Sequence, residues 1–356
     1  MSANSVRTGS PRSQGSITQR RVPQPWPKAQ RFRILSLDGG GIRGVYPATI
    51  LAELERKFTS PRKIGEFFDL IAGTSTGGII ALGLGKGMSA VDLQDLYQVR
   101  GNEIFPEPQR SLKGRVKSAF RWSRHWFLYH YDREAIAKIL AEKLGDRLYG
   151  ESLHRLCIPA FDGGNSEVFV FKTPHHPDYK IDRFEKMTTV ALATSAAPTY
   201  FKPLQHGGYS LVDGGVWANN PIMLAVIEAL VCFDISPDQI DVLSLGCGED
   251  PYLVSGAQRR FGGKLFWSDA IFAAMRLQSM AATNQARLLL GPPSVVRILP
   301  QNHVPPIELD DWRRAVDNLP SDAVSAVDKM GDVIREKFLT SPAEPYVPIP
   351  PAARSD

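Results

Sequence analysis

Cysteine is scarce in this chain. Cys157, Cys232 and Cys247 are the only three among 356 residues. They are too few for a disulfide framework and their spacing fits no zinc pattern, so they read as reduced thiols inside the fold. Acidic residues are missing from the first 30 positions, which hold Arg7, Arg12, Arg20, Arg21 and Lys28. The formal charge of the whole chain is 42 − 37 = +5, so residues 31–356 are net neutral. A basic tail on a neutral body gives no reason to expect a polymeric nucleic acid as partner. Long apolar runs are missing too. Leu70 to Gly85 carries no charge, but it is short for a bilayer and contains five glycines. It reads as a buried strand, a turn and a buried helix. Residues 1–30 show no secretory leader. They are expected to be a disordered basic tail, or a weak electrostatic attachment to an anionic surface.

What is present is an ordinary globular composition, 43% hydrophobic and 22% charged. Phe32–Leu37 is a short apolar run ending at Asp38-Gly39-Gly40-Gly41, which predicts a buried strand entering a glycine loop. Tyr46 to Phe58 has helical spacing. Phe68–Gly73 predicts a second strand, and Ile79–Leu84 its helix; Ser89 is placed to cap the next helix. Further strands are expected at 156–161, 167–171, 209–212, 241–246 and 295–299. Helices are expected at 132–144, 186–194, 221–232 and 264–290. This alternation predicts an α/β protein with a largely parallel sheet. The expected organisation is the tail at 1–30, a catalytic domain at 31–300 and a C-terminal helical extension with a proline-rich end at 301–356.

Three motifs carry chemistry. Gly73-Thr74-Ser75-Thr76-Gly77 fits G-x-S-x-G, in which a sharp strand-to-helix turn presents a nucleophilic serine and the flanking glycines make room for it. The helix behind it offers its positive dipole end to developing negative charge. Asp38-Gly39-Gly40-Gly41-Ile42-Arg43-Gly44 lets backbone N–H groups converge on an anion. It fits either a dinucleotide fingerprint or an oxyanion hole. The dinucleotide reading lacks its acid at the end of the next strand, because Glu66 precedes that strand, and it does not require Asp38 or Arg43. Asp213-Gly214-Gly215 places a carboxylate at a strand end beside two glycines, where it can serve Ser75 as general base.

Histidine is poorly placed for a triad. In the α/β-hydrolase order the histidine follows the acid, and only His303 lies beyond Asp213. His303 reads as a surface residue, and His175-His176 as a solvated pair. A serine with an aspartate base is the better fit. A histidine-dependent hydrolase and a nucleotide-binding protein built on the glycine loop are the alternatives.

Together DGGGIRG, GTSTG and the later DGG resemble the patatin-like phospholipases, in that family's order. Ser195-Ala196-Ala197-Pro198 and DGGVWANNP add to the likeness, which covers about 34–226. The resemblance implies a three-layer α/β fold with a mostly parallel sheet flanked by helices. It implies a Ser75–Asp213 dyad with no metal and no cofactor, and an oxyanion hole from Gly39, Gly40 and Gly41. Arg43, Gly44, Gly73, Gly77, Gly214 and Gly215 would support the motifs, with Arg43 either bracing the loop or meeting a head-group phosphate. The implied substrate is a membrane phospholipid, cut at an acyl ester by a cytoplasmic enzyme at the inner membrane face. Some bacterial members act in antiviral defence and are switched on by cyclic dinucleotides. This chain is similar to them in size, so a cyclic dinucleotide activator and a homo-oligomer are further expectations. The segment 110–131, in which Arg and Lys alternate with Trp, Phe and Tyr, is a candidate membrane contact, lid or regulator pocket.

Overall fold

The computed structural model describes residues 21–106, 131–248 and 270–351. The basic aromatic segment 110–131 lies outside the described residues except for Tyr131, as do the first 20 positions and residues 264–269 of the helix expected from 264. Eight strands form one sheet: β1 Phe32–Leu37, β2 Leu70–Gly73, β3 Leu156–Asp162, β4 Glu167–Lys172, β5 Leu204–His206, β6 Tyr209–Asp213, β7 Ile240–Leu245 and β8 Val295–Ile298. The principal helices are α1 Val45–Leu54, α2 Thr76–Lys86, α3 Ala90–Gln98, α4 Arg133–Leu144, α5 Met187–Thr194, α6 Ile222–Cys232, α7 Ala270–Leu290 and α8 Trp312–Phe338.

The central strands β1, β2 and β7 are buried along their whole length because both sheet faces are covered there. Alternate residues of one strand enter different cores. Leu35 and Leu37 of β1 pack with Ile71, Leu243 and residues of α1 to α5 and α8, whereas Phe32 and Ile34 pack with Leu70, Val242, α6 and α7. Helix, sheet and helix thus form three layers. The helix α8 belongs to the first of these cores through Ala315, Leu319, Ala323, Val327, Ile334 and Phe338. The chain from 301 onward therefore shares a core with the motifs. The expected tail is also docked from Arg21 onward. Arg21 Nε donates to the Tyr179 hydroxyl at 2.9 Å, and Gln24 bridges to Phe233.

The parallel half, β2-β1-β7-β8, holds the glycine loop at the end of β1. The antiparallel half places the acid. The strand β4 takes one edge of β3 along Cys157–Asp162. The other edge is shared: β2 runs parallel to it at Leu156–Cys157, and β6 runs antiparallel at Ala160–Asp162. These two strands approach each other head-on along β3, so the residues leaving their C-terminal ends meet. Those residues are Ser75, just beyond β2, and Asp213, the last of β6. Pro159 sits at the fork, where its missing N–H costs no ladder bond.

Candidate active site

Ser75 stands at the turn between β2 and α2 with φ 53° and ψ −118°. This is one of three positive-φ positions without glycine among the described residues. Such a conformation costs of order 1–3 kcal/mol and persists only where the surroundings impose it. The surroundings here are tight. A Cβ on Gly73 would come within 2.2 Å of the Gly77 carbonyl oxygen, and one on Gly77 within 2.3 Å of the Leu37 oxygen. The Ser75 N–H donates to Thr194 Oγ1 at 3.0 Å, and that hydroxyl donates to the Pro159 carbonyl at 2.7 Å.

Asp213 is 5% exposed. Its carboxylate accepts the Gly215 N–H at 2.7 Å, and the Ser75 side chain lies close enough to pull its pKa down. Burial lifts the carboxyl from its ordinary 3.8 to about 6, against the opposing pull of Ser75 and the Gly215 amide. The Asp213 N–H donates to the Ala196 oxygen at 3.0 Å. One turn, Thr194 to Ala196, thus holds the backbones of both the serine and the acid. Among the described residues no histidine bonds either of them. His303 Nε2 pairs with Asp322 at 2.8 Å instead.

The glycine loop passes directly beside the serine. A Cβ on Gly39 would lie 3.3 Å from Ser75 Cβ and 2.5 Å from Asn219 Oδ1. The Gly39 N–H donates to the Asn219 oxygen at 3.0 Å. That bond ties the Gly39 amide to the scaffold. The amides of Gly40 and Gly41 meet no backbone carbonyl among the described residues. Gly40 lies flat on Cys247, whose Cβ would be 2.2 Å from an added Cβ, and Gly41 takes φ 56° against the Leu309 carbonyl. Gly44 packs on Thr76, and Gly214 on the Pro159 carbonyl. Arg43 lies close enough to Cys247 and Tyr200 to lower the pKa of both, although burial carries each of them up to about 12.

Two residues that hold this geometry were not singled out from the sequence. Thr194 directly precedes the Ser-Ala-Ala-Pro run. Arg297 is the one charged residue of β8, and its guanidinium grips Asp38 with both Nη atoms. A charge inside an otherwise apolar strand was the available signal for it.

A second polar cluster lies away from the dyad. His175 and His176, expected to be solvated, are each 3% exposed. His175 Nε2 meets Glu228 at 3.1 Å, and Lys172 Nζ meets the same carboxylate at 2.6 Å. Donor atoms of His175, Glu228 and Cys232 lie within 4.8 Å of one another. A metal would find that spacing usable, but Lys172 already supplies the cation, so the set works as an ionic network.

The chain resembles several known proteins. The patatin-like phospholipase family model matches residues 35–226. The chain is 33% identical over 262 residues to a cGAMP-activated phospholipase of Pseudomonas aeruginosa, covering 73% of this chain and 76% of the relative. It is 37% identical over 244 residues to a protein of the same name from Vibrio cholerae, covering 63% and 66%. A solved structure of VipD from Legionella pneumophila aligns over 90% of this chain and 73% of its own, at 12% identity and a TM-score of 0.40. With more than half of its length matched and all three motifs assembled at one end of the sheet, the chain belongs to the patatin-like phospholipase family of ester hydrolases.

Proposed function

We propose that this chain cleaves acyl esters of membrane phospholipids with Ser75 as nucleophile and Asp213 as its base. One observation carries the reading. A half-buried serine at a strained turn sits beside a buried carboxyl whose pKa of about 6 leaves it ionised, yet basic, near neutrality. Asp213 takes the Ser75 proton as Oγ attacks the ester carbonyl. The resulting oxyanion faces the N–H groups of Gly40 and Gly41 at the dipole end of α2. As the tetrahedral species collapses, Asp213 returns the proton to the leaving lysolipid oxygen. Water then attacks the acyl-enzyme, giving one proton to Asp213 and the hydroxyl to the acyl carbon, and Ser75 is regenerated as the fatty acid leaves.

No helix among the described residues is long and apolar enough to cross a membrane, so the substrate would be met at the bilayer surface. Two relatives named as cGAMP-activated support a cyclic dinucleotide switch for this chain as well. The test is fatty-acid release from mixed phospholipid vesicles in chelator, with and without cGAMP and other cyclic dinucleotides. Release by wild type that is lost in Ser75→Ala is the expected result. Release that survives Ser75→Ala would overturn the dyad, and release indifferent to every nucleotide would overturn the switch.

A further inference from the structure

The glycine loop has almost no side chains with which to fix itself. Three successive glycines are the most conformationally free stretch a chain can contain. Their geometry must therefore come from what grips the two ends, and those grips come mainly from beyond the family-matched span. At the near end, Arg297 Nη1 donates to Asp38 Oδ1 at 2.8 Å while Nη2 donates to Oδ2. The same guanidinium is steadied by Ser244 Oγ of β7 at 2.8 Å and by Ser279 Oγ of α7 at 3.3 Å. The Arg297 and Asp38 side chains are 5% and 2% exposed. The Asp38 N–H donates to the Leu245 oxygen at 3.0 Å. At the far end, the Ile42 N–H donates to the Leu309 oxygen at 2.9 Å, in the stretch leading to α8. Gly40 and Gly41 are suspended between these anchors.

A buried Arg–Asp pair is a poor device for stability alone, because desolvation consumes most of its attraction. What a two-pronged guanidinium supplies is orientation. Resting on the oxyanion role of Gly40 and Gly41, we infer that Arg297 is a positioning residue of the active site. Through Asp38 it sets the direction in which the glycine-loop amides point, so the C-terminal third completes an oxyanion hole whose motif lies at the N-terminus. Misplacing such donors by about 1 Å costs on the order of 100-fold in rate.

A second Arg–Asp pair, at the opposite end of β1, provides the control. Arg33, at the foot of β1, has its N–H on Asp69 Oδ2 at 2.8 Å and its guanidinium on the Phe338 oxygen at 2.9 Å. It is equally buried and sits at the opposite end of the strand from the site. The experiment compares the full chain with Arg297→Met, Arg297→Lys, Arg33→Met and Ser75→Ala on a soluble acyl ester. A fatty-acyl trifluoromethyl ketone, to which Ser75 adds to form a tetrahedral oxyanion, serves as a probe of the hole.

Arg297→Met is expected to lose about 10- to 100-fold in kcat with KM within about twofold. The Ki of the ketone should rise by the factor that kcat/KM falls, while the acid limb of the pH profile stays near 6. Arg297→Lys should recover part of the loss. Arg33→Met should lower thermal stability with kcat intact. Wild-type kcat, or an unchanged ketone Ki, in Arg297→Met would overturn the inference. If Arg297→Met does not fold, Asp38→Asn weakens the same grip at constant volume, and the same readouts decide. Activity persisting in Ser75→Ala would instead sink the dyad itself, whatever Arg297 does.

Discussion

Asp213 ends β6 beside Ser75, and Glu228 lies within α6 among the residues that dock the N-terminal stretch. They are 5% and 4% exposed. Burial pushes both carboxyls upward, yet the outcomes are opposite. Asp213 rises to about 6 because only Ser75 and Gly215 oppose the loss of water. Glu228 ends well below the usual carboxylate range, because Lys172 and the His175 ring outweigh the same desolvation. The Tyr179 hydroxyl and the Cys232 thiol add hydrogen bonds to it. Depth therefore does not decide what a carboxylate does; the cations and donors around it do. An acid left short of partners can accept a proton in a reaction, whereas one surrounded by donors holds structure together.

The sharpest break of that comparison is Asp213→Asn. It should cost about 10³-fold or more in turnover, as measured by fatty-acid release. It should not lower the melting temperature. A carboxyl whose pKa is raised on folding contributes stability below about pH 4 and loses it as the pH climbs through 6. Removing that charge should thus stabilise the protein above pH 6 by up to about 3 kcal/mol. A melting temperature that falls at pH 8 would mean that the anion is better solvated than its surroundings indicate.

Glu228→Gln should do the reverse. It leaves Lys172 buried without its counterion and should cost about 3–5 kcal/mol in denaturant unfolding, with kcat unaltered. Loss of turnover at full stability would place the cluster in the reaction.

The pH responses separate the two acids without mutation. Glu228, depressed on folding, contributes stability above its unfolded value of 4.5, and that contribution drains away only as the pH falls further. Asp213 should already be protonated there. Between about pH 4.5 and 6 the chain should be folded but inactive, with activity returning when a sample is brought back to pH 7.5. Loss of circular dichroism over the same interval would contradict this separation.

The smallest expected effect concerns strain at the catalytic end. Ser75→Gly should be more stable than Ser75→Ala by about 1 kcal/mol, because glycine accepts φ 53° without a Cβ penalty. Equal stability of the two would show that the turn is unstrained.

The chain order of the motifs and the strands that carry them were legible in the sequence, because each is a local matter, whereas the three-layer class was implied by the family resemblance. Glycine spacing marks turns, and apolar runs mark strands covered on both faces. That Asp213 lies beside Ser75 was legible as a possible role for the acid but not as a contact. It comes about because β2 and β6 share one edge of β3 head-on, and no local pattern records which strands share an edge. Arg297 and Thr194 were missed for a related reason, since an isolated arginine or threonine gains its role from what lies across the sheet. His175 was misread as solvated because loop composition says nothing of α6 packing its glutamate against that loop. The sequence by itself determined the chemistry available, a serine at a forced turn, a glycine loop and an acid at a strand end, since these depend on backbone geometry over a few residues. Only the tertiary structure decided which amides were left to meet an oxyanion and which of two buried acids stayed basic. Both depend on desolvation and on partners brought from distant parts of the chain.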